Sequence, residues 1–166
     1  RGGAARLLPI PNGQRDAIVN ITRLTKVDLP SLAELFTQFW GEVSSIERMK
    51  SSFSKISNNP AYVLLAAKQN EKLIGFGMGV ICWELYGDCK PFMVVEDLIV
   101  HMNQRRSGVG SGLMRKLEEV AIEIDCCQVI FVTEAERTEA CRFYRTLGYE
   151  FVPYRGFKRK LETANK

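Results

Sequence analysis

The chain has 166 residues, 46% of them apolar and 25% charged, with a formal net charge of +4. That length fits one domain with a proper core, and those shares belong to an ordinary globular protein, not a disordered or fibrous one. The mild charge lacks the basic stripe with interleaved aromatics of a nucleic-acid binder, and no apolar run approaches the ~20 residues that span a bilayer. Neither nucleic acid nor a membrane is an expected partner.

Arg1 to Arg15 hold Gly, Pro and Arg but no acid, so residues 1–16 are set aside as a flexible or non-native tail, a processed targeting segment being the remaining reading. A single domain is expected over residues 17–162, with a short tail at 163–166. Within it, Ala17 to Leu24 is rich in β-branched residues and predicts a first strand. Asp28 is placed to cap a helix in which Leu29, Leu32, Leu35, Phe36 and Phe39 recur on one face. Gly41 interrupts it, and a second amphipathic helix carries Ile46, Met49, Phe53 and Ile56 until Asn58-Asn59-Pro60 stops it. Ala61 to Lys68 and Lys72 to Trp83 read as a hairpin around the polar Gln69-Asn70-Glu71 turn. Gly75, Gly77 and Gly79 alternate along its second strand, leaving a face bare enough for a helix to come close.

Pro91 to Val100 is the strongest strand of the chain. A glycine-rich link leads from it into a helix with Leu113, Leu117, Val120 and Ile124 on one side. Gln128 to Thr133 reads as a short strand and Arg137 to Leu147 as a helix ended by Gly148. Tyr149 to Pro153 and Gly156 to Leu161 read as final strands. The order β-α-α-β-β-β-α-β-α-β-β describes an α+β (mixed α/β) domain.

Five cysteines, Cys82, Cys89, Cys126, Cys127 and Cys141, form an odd number with no framework spacing, and His101 is the only histidine. No metal site has ligands at sensible spacing. Reduced, buried thiols in a cytoplasmic protein are the simplest account.

The informative stretch runs from Val100 through Arg105, Arg106, Ser107, Gly108, Val109, Gly110 and Ser111 to Leu113. It leaves a strand, crosses a glycine-rich turn and enters a helix. Glycines there let backbone N–H groups converge on an anion, and the helix start adds donors and a positive dipole end. A Walker loop would need a Lys that is missing, and a Rossmann fingerprint would need glycine where Leu113 stands. Arg105-x-x-Gly108-x-Gly110 resembles instead the acyl-CoA signature of the GNAT superfamily of N-acetyltransferases, and Ala140-x-x-Phe143-Tyr144-x-x-x-Gly148-Tyr149 resembles that family's downstream helix.

The resemblance covers nearly the whole chain and implies a GNAT-like acyl-CoA N-acyltransferase fold, a mostly antiparallel sheet with a splayed central strand pair. It implies acetyl-CoA as cofactor. Leu98, Ile99 and Val100 would line the pantetheine arm, and residues 105 to 111 would hold the pyrophosphate. Tyr144 would face the sulfur, with Phe143 beside it. Many members carry Asn where this chain has Arg137, so that contact is replaced, a phosphate being one partner for the guanidinium.

Acetyl transfer needs a neutral amine, yet a free alkylamine with a pKa near ~10.4 is mostly protonated at neutral pH. Glu96, midway along the strong strand, is the leading carboxylate to accept that proton, directly or through water. Asp97 adjoins it and faces away if alternation is unbroken, although members often carry an irregularity in that strand. Tyr144 stays protonated and can supply a proton to the leaving thiolate. His101 reads as a solvated turn residue, and without a histidine to activate it Cys141 is no nucleophile, so transfer in a ternary complex is expected.

For the acceptor, Trp40, Glu42, Glu47, Trp83, Glu84, Tyr86 and Asp88 offer aromatic and acidic groups suited to a small-molecule amine. A protein or peptide acetyltransferase and a non-catalytic acyl-CoA sensor are the other readings. Sheet pairing between copies is common among such relatives, which makes a homodimer the expected assembly if the chain associates.

Overall fold

The computed structural model describes residues 18–151 and 156–161. The expected tails at 1–16 and 163–166, and the part of the final strands at 152–155, lie outside them. Strand β1 (Val19–Arg23) leads into helix α1 (Leu29–Trp40) and helix α2 (Ile46–Ile56). Strands β2 (Tyr62–Gln69), β3 (Lys72–Cys82) and β4 (Phe92–Val100) follow, then helix α3 (Val109–Glu123), strand β5 (Val129–Ile130) and helix α4 (Thr138–Thr146). The sheet order is β1-β2-β3-β4-β5, antiparallel except for the β4–β5 pair, which α3 connects as a crossover.

Two apolar layers sandwich the sheet. Leu64, Ala66 and Phe76 turn toward Leu29, Leu32 and Leu35 of α1. Leu65, Ala67 and Met93 turn the other way, toward Leu113, Met114 and Leu117 of α3, all fully buried. The alternation along β2 thus feeds both cores, as a strand covered on both faces must. The glycines of β3 set the α3 distance: a Cβ at Gly75 would fall 2.9 Å from Val109 Cγ1, and one at Gly79 would fall 3.2 Å from Leu117 Cδ2. The helix that the bare face was expected to admit is therefore α3.

Asp28 holds the N-cap position of α1, but its side chain makes no bond to that helix. Its Oδ2 accepts from the Thr25 N–H at 2.8 Å and the Thr25 hydroxyl at 2.7 Å, while Oδ1 meets Lys68 Nζ at 2.6 Å. Burial opposes the ionised carboxyl, yet the bonds from Lys68 and Thr25 outweigh it and hold Asp28 below the usual carboxylate range.

The element order agrees with the sequence reading through α4, where Gly148 ends the helix in the left-handed region at φ +91°. Two expectations are corrected beyond β4. The strand at 128–133 shrinks to Val129–Ile130, because Phe131 leaves the sheet to stack on Tyr144 and Tyr149. After α4 no strand forms among the described residues. The Lys158-Arg159-Lys160 run breaks the alternation of residues 156–161, and Phe157 and Leu161 stay exposed. The five cysteines are free, but none is buried, and Cys89 and Cys127 are exposed. No helix among the described residues is long and apolar enough to cross a membrane.

Candidate active site

The turn between β4 and α3 presents backbone, not side chains. Gln104 N–H closes on the His101 carbonyl at 2.8 Å and Arg105 N–H on Met102 at 3.4 Å. The next main-chain bond is from Gly112 N–H to the Gly108 carbonyl. From Arg106 to Ser111 the N–H groups therefore have no acceptor among the described residues, and no side chain caps α3. Left-handed backbone at Arg106 (φ +64°) and Gly108 (φ +86°) turns these donors together, the local geometry of an anion nest at a helix start. Arg106 bears the cost of that conformation, about 1–2 kcal/mol for a residue with a side chain. The side chains of Arg105 and Arg106 are exposed and pair with no carboxylate among the described residues.

Gly110 has a different reason to be glycine. A Cβ there would lie 3.2 Å from Phe143 of α4 and 3.6 Å from Val100. Phe143 thus closes one end of the turn. His101, expected in solvent, is partly buried: Nδ1 accepts from Asn103 N–H at 3.3 Å, and Nε2 lies 3.3 Å from the Gln38 amide nitrogen. Gln38 also accepts from Met102 N–H at 2.9 Å, so α1 anchors the turn.

On β4 the alternation breaks. Met93 and Val95 pack in the α3-side core, whereas Ile99 packs in the α1-side core. An unbroken strand would put all three on one face. The register with β3 slips between Met78↔Glu96 and Phe76↔Ile99, and Asp97 takes φ +51°. This is a β-bulge. Its result is that Asp97 does not face away from Glu96. Glu96 pairs with Met78, which packs on the α1 side, and Asp97 lines a cavity of about 280 Å³ with Phe36, Trp40, Glu42, Val43 and Ser44. Glu96 itself is exposed, while burial pushes the Asp97 carboxyl above the usual carboxylate range.

The β4–β5 pairing covers only Met93↔Val129 and Val94↔Ile130. Beyond Val94 the β4 edge, Leu98, Ile99 and Val100 included, has no strand partner on that side among the described residues. Across the gap stand Phe131 and Tyr144, with ring centroids 4.2 Å apart. The Tyr144 hydroxyl makes no hydrogen bond among the described residues. Burial pushes this phenol up, partly offset by the charge of Arg137, so it keeps its proton at neutral pH.

The acetyltransferase (GNAT) family model matches residues 29–149. The chain belongs to that family. Its fold is shared with a transcriptional regulator from Bacillus halodurans C-125 at a TM-score of 0.79 and 22% identity, covering 87% of this chain and all of the other. An aminoglycoside N-acetyltransferase solved in complex with CoA matches at 0.75 and 21%, covering 92% and 99% of the two chains. Glucosamine-6-phosphate N-acetyltransferase from Arabidopsis thaliana matches at 0.75 and 20%, covering 86% and 98%. The enzyme is an N-acetyltransferase, and acetyl-CoA is the donor of its family.

Within this acetyltransferase, the expected acceptor residues separate. Trp40 and Glu42 line the Asp97 cavity. Trp83, Glu84, Tyr86 and Asp88 do not; they sit on the β3–β4 loop, with Trp83 and Tyr86 largely exposed. Glu47 opens α2, 3.3 Å from the Ser45 hydroxyl. Arg137 is set over the Phe39 ring at 4.9 Å, a contact made with α1. Sequence reasoning assigned Phe36 only to the core and passed over Val43, Ser44 and Thr133. Thr133 Oγ1 is the one buried side-chain polar atom without a partner among the described residues, on the segment leaving β5. Its only signal in the sequence is its place at the end of a short strand-like run.

Proposed function

We propose that this acetyltransferase moves the acetyl group of acetyl-CoA directly onto a primary amine of a small molecule. The run of N–H donors from Arg106 to Ser111 carries the reading. Such a cradle fits a diphosphate, and filling it at Gly110 would require Phe143 to give way. Residues Arg105, Arg106, Ser107, Gly108, Val109, Gly110 and Ser111 would hold that group. The unpaired β4 edge at Leu98, Ile99 and Val100, facing the partnerless Thr133 hydroxyl's segment across the gap, fits the amides of a pantetheine arm.

Bound acetyl-CoA supplies the thioester that the amine attacks. Asp97, with Glu96 on the same face, draws the ammonium into the cavity and accepts its proton. Burial raises the Asp97 carboxyl, which makes it a stronger base than a free aspartate. Tyr144, protonated and free of competing bonds, donates to the sulfur as it departs with a thiol pKa near ~8.5. Trp40 and Phe36 wall the pocket and offer the acceptor an apolar surface.

The pocket of about 280 Å³ has room for a small acceptor, and two of the similar structures are named for acting on small amines, an aminoglycoside and glucosamine 6-phosphate. The test has two parts. Saturating acetyl-CoA raises the thermal midpoint, and a panel of small amines releases free thiol. An unchanged midpoint refutes the cradle. A raised midpoint with no thiol from any small amine or peptide leaves only an acyl-CoA sensor.

A further inference from the structure

The acceptor cavity is charged in one sense. Glu42 and Asp97 line it, and no cationic residue does. One guanidinium nevertheless reaches the helix that walls it. Arg137, at the N-cap of α4, lies 4.9 Å over the Phe39 ring, and Phe39 packs edge-on against Trp40 with centroids 4.7 Å apart. Trp40 is a wall of the cavity. The chain of contacts thus runs from Arg137 through two aromatic rings to the acidic pocket.

Arg137 is exposed, and among the described residues no carboxylate comes within 4 Å of it. Stacking on an aromatic face leaves the in-plane N–H donors of a guanidinium available for a carboxylate or phosphate. Its position along α4 argues against the pyrophosphate as that anion. Phe143 is the α4 residue that meets Gly110 of the turn, and Arg137 stands six residues earlier, about 9 Å along the helix axis. The α1 contact draws it to the acceptor side.

We propose that Arg137 is an anion site for the acceptor, so that the preferred substrate carries, besides its amine, a carboxylate or a phosphate. The amine enters the pocket of Glu42 and Asp97, and the anion stays outside it on Arg137, beyond the Phe39 and Trp40 rings. This rests on the acetyl-transfer reading for the role of the pocket, but not for its charge map.

Binding to the CoA-saturated protein tests it by titration calorimetry with two matched pairs, glucosamine 6-phosphate against glucosamine and 5-aminopentanoate against its amide. The expected result is a preference of about tenfold or more for the anionic member of at least one pair, equivalent to about 1.4 kcal/mol. The preference collapses toward one in Arg137→Met and returns in part in Arg137→Lys. The pair that shows it tells carboxylate from phosphate. No preference in either pair, or one that survives in Arg137→Met, overturns the proposal. Thiol release from the same four amines separates the two readings. Release without preference removes the anion site and keeps the enzyme reading; preference without release does the reverse.

Discussion

The two sides of β4 are built by different means. Toward α3, the candidate donor site comes from one continuous stretch, Leu98 to Ser111, and uses main-chain donors aimed by Arg106, Gly108 and a helix start. Toward α1, the candidate acceptor site comes from side chains that meet only in the fold: Phe36 and Trp40 from α1, Glu42 to Ser44 from the loop after it, and Asp97 from a bulge. A backbone site tolerates changes of side chain so long as glycines persist where space or φ demands them. A side-chain site is open to change at every wall. One fold can therefore keep its donor while its acceptor varies.

The largest expected effect falls on the backbone side. Gly110→Trp drives a ring into Phe143 and the cradle, so the acetyl-CoA shift of the thermal midpoint disappears and kcat/KM falls by roughly a thousandfold or more. Next comes the bulge. Asp97→Asn lowers kcat about a hundredfold and removes the acid limb of the pH–rate profile, in which the wild type loses activity as pH falls through the raised value of this carboxyl. The same variant is more stable at neutral pH. Because the folded value is raised, the ionised form costs stability above it, and the gain of the variant shrinks as pH falls from there toward the unfolded value near ~3.9. Lower activity with a higher melting midpoint distinguishes a strained functional carboxylate from a structural one.

Tyr144→Phe should cost about thirtyfold in kcat with little change in the midpoint, since the hydroxyl holds up no neighbour. A full-activity variant would hand proton delivery to solvent. The smallest effect lies away from both sites. Asn70 and Glu71 turn the β2–β3 hairpin with φ of +49° and +61°, so Glu71→Gly should add roughly 0.5–1 kcal/mol in urea unfolding and leave kcat/KM alone.

The contrast also explains what the sequence made legible. The hairpin around Gln69-Asn70-Glu71, the Gly148 stop and the bare face of β3 each rest on local chemistry, and each is found where the residues imply. The glycine turn between β4 and α3 is legible for the same reason. The position of the β4 bulge was not, because a bulge is one extra residue in a pairing register and nothing in Val95-Glu96-Asp97-Leu98 marks where the slip falls; only the family resemblance put an irregularity in that strand, with Asp97 a candidate beside Glu96. Nor was the engagement of Asp28 with Lys68, which depends on how β2 meets the start of α1. Trp83 and Tyr86 drew attention by composition, yet composition does not say which loop folds over a pocket, and Val43 and Ser44, chemically plain, supply the wall instead.

The missing side chain at Gly75 has a geometric meaning of its own. With Val109 Cγ1 2.9 Å and the Ile99 carbonyl oxygen 3.3 Å from where a Cβ would sit, the first turn of α3 is seated hard on β3 and β4. The same two strands carry the bulge. The candidate donor turn and the bulged carboxylate are thus bolted to one plate, and the span between them works as a ruler whose length is set by an absent methyl.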